Sequence, residues 1–544
     1  MAEAVKPGPE PPEPDRAPRG PGLVRSTGLI SGLIFLSRVL GLVREQVFAA
    51  LLGAGLYADA FQAAFRIPNL LRDLFAEGAL SAAFIPTYAR ALTEGGPERA
   101  YRLANRLITL LAVVLGALVV VAFIFAAPLV RALAPGFDQV PGKTEITVQL
   151  TRVMLPFLPL VSCAAVAMGM LNAHERYGTP AFAPAVFNLV TIVWAAVLWA
   201  AGFSPAQVAL GWAAGTLLGG AAQLGIQLPG LTGAGWRFRP EWRPSDPDLG
   251  AIMSLMAPAT VGLAAVQVNI FVGTNFASHE AGAVAWLQYA FRILYLPIGI
   301  FGVAVGTVAT TGLARRAAAG DMEGVRETVR RSLRFLCYLT LPATAGLMAL
   351  AVPVVRLLYE RGRFHAGDTR ATASALTLYS IGLVAYTGVK VLAPAFYALG
   401  RPRVPLLASA SAVATNLVVI LALHGRIGFH SIALGTALGS VMNAAVLVAV
   451  FESRVGGLVR ALFSWAMARM ALAAAVMAPA AMYAARELEG WFGTHGLRAQ
   501  LVTGLLPVAL GGVVYLAVTG ALRVPEAAQL LSLWRRARGG RLKG

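Results

Sequence analysis

Ionisable side chains stand inside apolar stretches of this chain, and most of them lie near its N-terminus. Arg38, Arg44 and Glu45 fall in the first apolar segment, Asp59, Arg66, Arg72, Asp73 and Glu77 in the second, Arg292 in the eighth and Lys390 in the tenth. A charged group within hydrocarbon costs about 2.5–3.5 kcal/mol at mid-membrane by insertion scales, so it turns toward water or a partner. A guanidinium keeps its charge and donates paired hydrogen bonds to phosphate oxygens, so converging arginines suit a diphosphate. The chemistry expected of Arg38, Arg44 and Arg292 is therefore anion binding. At about 100° per residue, Asp59, Arg66, Asp73 and Glu77 share one face of the second segment. Such a stripe lines a cavity or forms an internal salt-bridge set with the first segment, with Arg66 and Asp73 the best-placed pair. Pro68 lacks a backbone donor and predicts a kink there. Lys390, near a segment end, reads as a snorkelling lysine.

Other chemistries find no support in the residue pattern. No Gly-x-x-x-x-Gly-Lys-Ser/Thr run occurs, and no carboxylate pair or nucleophile with a base stands out. The expectation is a protein that makes and breaks no bond and needs no cofactor. His174, His279, His365, His424, His430 and His495 lack metal-ligand spacing, and Cys163 and Cys337 sit in apolar runs as packing residues.

The elements that must hold these charges are membrane helices. The 544 residues are 57% hydrophobic and 13% charged, a balance that leaves too little charge to solvate a soluble domain of this size. Lipid offers no hydrogen-bond partners, so segments of about 20 residues must cross as helices. Apolar runs at 27–52, 57–90, 103–130, 146–172, 180–202, 205–228, 249–278, 282–314, 333–358, 369–398, 404–423, 430–451, 461–485 and 498–522 predict an all-α, polytopic protein of about fourteen transmembrane helices. The net charge of +19 gathers in short breaks, at Arg90, Arg99, Arg102 and Arg106, at Arg237, Arg239 and Arg243, and from Arg315 to Arg334. That is the positive-inside pattern rather than a nucleic-acid footprint, and it puts both termini in the cytoplasm. The Pro- and Gly-rich residues 1–25 and the basic residues 526–544 read as cytoplasmic tails, the first without the plan of a signal peptide.

An internal repeat organises the segments. Ala64-Phe65-Arg66-Ile67 recurs as Ala290-Phe291-Arg292-Ile293, 226 positions on, and Phe75 and Arg90 match Phe301 and Arg316 at the same offset. Ala173, Arg176 and Pro180 recur at Ala398, Arg401 and Pro405, 225 on. Two pseudo-symmetric six-helix lobes, 26–230 and 231–455, then follow one another in the same orientation, with two extra helices in 456–525. A cavity between the lobes is the natural binding site.

The motifs resemble one family closely. Ser37-Arg38-Val39-Leu40-Gly41, Arg44-Glu45, Ala58-Asp59-Ala60-Phe61, Pro68-Asn69-Leu70-Leu71-Arg72 and Phe75-Ala76-Glu77-Gly78-Ala79 are similar to the signature run of the MurJ (MviN) lipid II flippases. Pro180-Ala181-Phe182-Ala183-Pro184, Arg292 with Pro297, and Lys390 to Tyr397 follow in the same order, so the resemblance covers roughly residues 26–525. It implies a member of the multidrug/oligosaccharidyl-lipid/polysaccharide exporter superfamily, in the bacterial inner membrane, that alternates between inward-open and outward-open states. Its implied cargo is lipid II, the undecaprenyl-diphosphate-linked peptidoglycan precursor, among membrane lipids and beside the cell-wall synthesis machinery. The implied substrate-binding residues are Arg38, Arg44, Asp59, Arg72, Glu77 and Arg292, and the last two helices would form a groove for the polyprenyl tail. Two departures stand out: Val268–Asn275 and Asn416–Leu421 hold no carboxylate where some relatives could bind sodium, and Phe291 precedes Arg292 where many have an acidic residue.

Three readings stay open at this stage. Beside lipid II flipping stand a cation-coupled exporter of organic cations or of another polyprenyl-diphosphate-linked oligosaccharide on the same fold, and a non-transporting scaffold of wall synthesis. An organic-cation carrier would want carboxylates rather than arginines in its cavity.

Overall fold

A computed structural model of the chain describes residues 21–73, 78–528 and 530, and no strand occurs among them. Residues 1–20 and 531–544 of the expected tails, and Glu77, lie outside the described residues. Residues 21–25 are already helical, and Glu526 is not in a loose tail but is buried against Arg334, its Oε1 at 2.8 Å from the guanidinium.

The first half contains α1 (Pro21–Leu52), α2 (Leu56–Arg72), α3 (Gly78–Ile124), α4 (Ala126–Leu133), α5 (Lys143–Met154), α6 (Phe157–Ala173), α7 (Gly178–Ala200), α8 (Pro205–Gly225) and the short α9 (Leu228–Thr232). The second contains α10 (Pro247–Ala277), α11 (Ala283–Pro297), α12 (Val303–Ala318), α13 (Met322–Ala349), α14 (Ala351–Tyr359), α15 (Ala366–Ser380), α16 (Leu383–Ala398), α17 (Arg403–Ile427) and α18 (His430–Arg454). The chain continues through α19 (Leu458–Leu462), α20 (Trp465–Phe492) and α21 (Leu497–Ala521).

Among the described residues ten helical runs are long and apolar enough to cross a membrane, or eleven when α15 and α16, bent by 45°, count as one. With α1, α2 and α10 added, the order is consistent with the fourteen expected segments. The outer surface is apolar, with Phe35 70%, Trp199 75% and Val308 77% exposed. Such a surface belongs in lipid, where helices meet their own backbone hydrogen bonds. Of the expected helix 57–90, α2 accounts for the part up to Arg72, with Pro68 inside it, and α3 for the part from Gly78. Within α3, Gly96 at φ 72° and Pro97 separate two helices, because a left-handed residue followed by one without an N–H breaks the ladder.

Neighbours recur between the halves. α1 packs on α7 and α7 on α8, as α10 packs on α17 and α17 on α18; α3 meets α6 as α13 meets α16, and α2 meets α5 as α11 meets α15. The short α4 carries Ala126-x-Pro128-x-Val130-Arg131, and α14 repeats it as Ala351-x-Pro353-x-Val355-Arg356, 225 positions on. One helix serves both halves: Leu249, Ile252 and Met256 of α10 sit in the core beneath α3 and α6, while Ala277 lies in the cluster shared by α1, α2 and α11. Salt bridges from Arg106 to Glu241 and Asp246, and from Arg99 to Asp248, tie the approach to α10 onto α3.

Candidate functional site

Between the halves lies a cavity of about 750 Å³ whose walls come from α1, α2, α6, α7 and α8 on one side and α10, α11, α15, α16 and α18 on the other. Arg44, Glu45, Arg66, Arg72, Asp73 and Arg292 line it. Four guanidiniums face two carboxylates among these lining residues, so the wall is cationic.

Its centre is a three-residue cluster. Glu45 of α1 is 6% exposed, and its Oε1 accepts from Arg44 Nη2 at 2.7 Å and from Arg292 Nη2 of α11 at 2.9 Å. The Arg44 guanidinium also lies over the Phe187 ring, 5.2 Å from its centroid. One carboxylate thus draws together arginines 248 positions apart and from opposite halves. Two positive groups sharing one counter-ion keep donor capacity for a further anion.

The α2 wall presents Gln62, Arg66, Asn69 and Arg72 at spacings of three and four, one helical face. Arg72 Nη2 pairs with Asp73 Oδ1 at 3.0 Å, and Asp73 Oδ2 accepts from Gln267 Nε2 of α10 at 3.2 Å. Arg66 does not pair with Asp73. Its Nη2 donates to Gln288 Oε1 of α11 at 3.3 Å, and among the described residues it forms no salt bridge.

Two other expected site residues are elsewhere. Arg38 is exposed on α1 and lays its guanidinium against Gly299, where an added Cβ would stand 2.9 Å from Nη1. Asp59 is fully buried away from the cavity lining. Its Oδ2 accepts from Lys143 Nζ at 2.7 Å and from the Gly282 N–H at 2.7 Å, and its Oδ1 from the Ala285 N–H at 2.9 Å. A carboxylate of the first half therefore caps the N-terminus of α11 in the second, where unmet N–H groups and the helix dipole favour an anion. Lys143 is buried as well and lies over the Phe137 ring, 4.1 Å from the centroid.

Around Asp59 the halves touch through hydrogen bonds that each involve a backbone group. Arg363 N–H donates to Ala50 O at 2.9 Å, Tyr289 Oη to Gly53 O at 2.8 Å, and Gly136 N–H to Ser278 Oγ at 3.0 Å. At Gly362, φ is 59° and an added Cβ would stand 2.3 Å from Ala50 O, so only glycine fits. The cavity is shut at this end, where the α1–α2 turn lies.

Glu45 and Lys143 bridge the expected site residues without having been expected to bind substrate themselves. Glu45 was visible only as the neighbour of Arg44, and Lys143 only as a lone lysine after Pro141-Gly142. Arg469 donates Nη1 to Leu522 O at 2.9 Å and so joins α20 to the end of α21, and Lys390 is exposed. Both cysteines are free thiols, Cys337 fully enclosed.

The family model described as Lipid II flippase MurJ matches residues 48–503. A probable lipid II flippase MurJ of Rhizobium meliloti is 34% identical over 504 residues, 91% of this chain and 93% of that protein. The lipid II flippase MurJ of Burkholderia cenocepacia is 35% identical over 429 residues, 77% and 83% of the two chains. Among solved structures, a lipid II flippase MurJ in an inward closed conformation superposes with a TM-score of 0.74 at 22% identity, covering 91% of this chain and 98% of that one. An inward-facing multidrug resistance MATE family transporter of the MOP superfamily superposes with a TM-score of 0.64 at 17% identity, covering 79% and 95%. At these identities the superpositions speak for the fold alone.

Proposed function

Because the chain belongs to the MurJ lipid II flippase family, we propose that it moves lipid II from the cytoplasmic to the periplasmic leaflet by alternating access. The observation that carries the reading is the Arg44–Glu45–Arg292 cluster, in which both halves contribute a guanidinium to one cavity wall. A diphosphate entering there meets two forked donors whose relative position one carboxylate fixes. Arg72, beside Asp73 on the same wall, extends the cationic surface.

With both termini in the cytoplasm, the end shut around Asp59 is periplasmic and the cavity serves the cytoplasmic leaflet. The arginines of the breaks at the other end support that orientation. The halves 26–230 and 231–455 act as lobes that rock about the cavity, and the bond network of Asp59 is the latch that must open on the outward side. The polyprenyl tail stays in lipid along α20 and α21 while the headgroup crosses. A net cationic cavity repels organic cations, which argues against drug export. Charge movement offers a driving force, since one elementary charge across 100 mV is worth about 2.3 kcal/mol.

The test is replacement of Arg44 or Arg292 by Ala in a strain depleted of its own lipid II flippase. Loss of growth with normal membrane levels is the expected result, matched by loss of labelled lipid II flipping in liposomes. Full growth of both variants would remove the diphosphate clamp.

A further inference from the structure

The repeat that relates the two halves also relates two arginines across the cavity. Gln62-x-x-x-Arg66 of α2 recurs as Gln288-x-x-x-Arg292 of α11, 226 positions on. Each Gln–Arg pair occupies successive turns of one helix face, and all four side chains line the same cavity. The two arginines nevertheless have different surroundings. Arg292 shares the Glu45 carboxylate of α1. The positions of α10 that match Glu45 at offsets of 225 and 226 are Ile270 and Phe271, so the counterpart of that carboxylate is absent. Among the described residues Arg66 keeps a single hydrogen bond, to Gln288, and its Nε is enclosed without a partner. Three residues further along α2, the Oδ1 of Asn69 is also enclosed without a donor.

A half-buried guanidinium without a carboxylate is costly to keep, and an orphaned acceptor beside it adds to the cost. The two together describe a complementary ligand: an anion for Arg66, with an N–H close behind it for Asn69. A phosphate brings acceptors only and would leave Asn69 Oδ1 facing further oxygen. A carboxylate on a peptide brings both, because the adjoining amide supplies the N–H. We propose that Arg66 and Asn69, with Gln288 orienting the guanidinium, form a second subsite that takes a peptide carboxylate, separate from the diphosphate site at Arg44 and Arg292. The proposal rests on the flippase reading, in which the carboxylate belongs to the peptide stem of lipid II. Gln288 and Arg292 stand four residues apart, about 6 Å along α11, so a single headgroup reaches both subsites. The edges of Tyr379 and Tyr386 against Phe291 close the same wall.

The test uses the purified full-length protein in detergent and three probes: lipid II with its acidic stem, the same lipid with the stem carboxylates amidated, and undecaprenyl diphosphate. A hydrogen-bonded carboxylate is worth about tenfold in affinity, so the unaltered protein should bind the acidic lipid about that much more tightly than the amidated one. Arg66→Gln should erase this preference while weakening undecaprenyl diphosphate far less, and Arg66→Lys should retain part of it. Arg292→Ala should weaken all three probes alike. Equal binding of acidic and amidated lipid II by the unaltered protein overturns the subsite, and this readout needs no variant to fold. An equal loss for all three probes in Arg66→Gln also overturns it, since Arg66 would then belong to the diphosphate site. If the unaltered protein binds none of the probes, the flippase reading falls and the subsite with it.

Discussion

Glu45 decides how the cavity works at the scale of single residues. It is a carboxylate in a site proposed for an anion, and a simple charge count would make it harmful. Its position argues otherwise, because without it two guanidiniums from different halves would repel each other across the wall. Glu45→Gln keeps the shape but removes the charge that holds Arg44 and Arg292 together; lipid II flipping in liposomes is expected to fall at least about tenfold, in line with the 1.5–3 kcal/mol of a charged hydrogen bond. Unchanged flipping would mean that the arginines hold their places without it. The arginines themselves were legible in the sequence, since an ionised group in an apolar run announces itself by its cost. The bridge was not, because Glu45 and Arg292 are 247 positions apart and no local spacing encodes their meeting. Arg66 was misjudged for the opposite reason: Asp73 stands seven residues away on the same helix face, yet its oxygens are taken by Arg72 and Gln267.

Helices follow a pattern that lipid makes legible, and their joints do not. The apolar runs place the spans because the bilayer forces each run to satisfy its own backbone. The same rule says nothing about where Asp59 points. A helical wheel groups it with Arg66, but Asp59 lies in the first turn of α2, beside the start of α5 and the N-terminus of α11, and Lys143 meets it there from 84 residues away. This makes Asp59 a joint between halves rather than a cavity residue, and the two roles predict different losses. Asp59→Asn leaves Lys143 buried with no counter-ion, an imbalance worth about 3–5 kcal/mol. A joint of that kind should lower the thermal unfolding midpoint of the purified protein and leave undecaprenyl diphosphate affinity nearly intact. A substrate-contacting Asp59 would give the reverse, an unchanged midpoint with altered affinity. The boundary expected near residue 231 is blurred for a similar reason, since Leu249, Ile252 and Met256 of α10 are packed into the core of the first half.

Alternating access asks which parts of the whole molecule travel together, and the contacts of the last two helices answer for α20 and α21. α20 packs on α13, and α21 on α14 and α13 of the second half. Charged pairs fasten them at both ends, Arg356 to Glu489 at the end shut around Asp59 and Arg334 to Glu526 at the other, while Tyr515 Oη donates to Tyr338 O at 2.9 Å between them. Gly504 of α21 lies so close to α14 that an added Cβ would stand 2.8 Å from the Leu357 side chain. By contrast, apart from α10, which packs on α3, and the cavity bonds of Glu45 to Arg292 and of Arg66 to Gln288, the first half meets the second through the Asp59 latch and the hydrogen bonds around Gly53 and Gly362 at one end, where a few broken bonds release them. Rocking about the cavity should therefore carry α20 and α21 with the second half. Spin labels at the exposed positions Trp199 of α7, Leu407 of α17 and Tyr483 of α20 can read this motion directly. When Asp59→Asn loosens the closed end, the 199–483 separation should broaden or shift while the 407–483 separation keeps its distribution. A change in the 407–483 distance would detach the last two helices from the second half, and the tail of a bound lipid would then have to be followed on a third moving body.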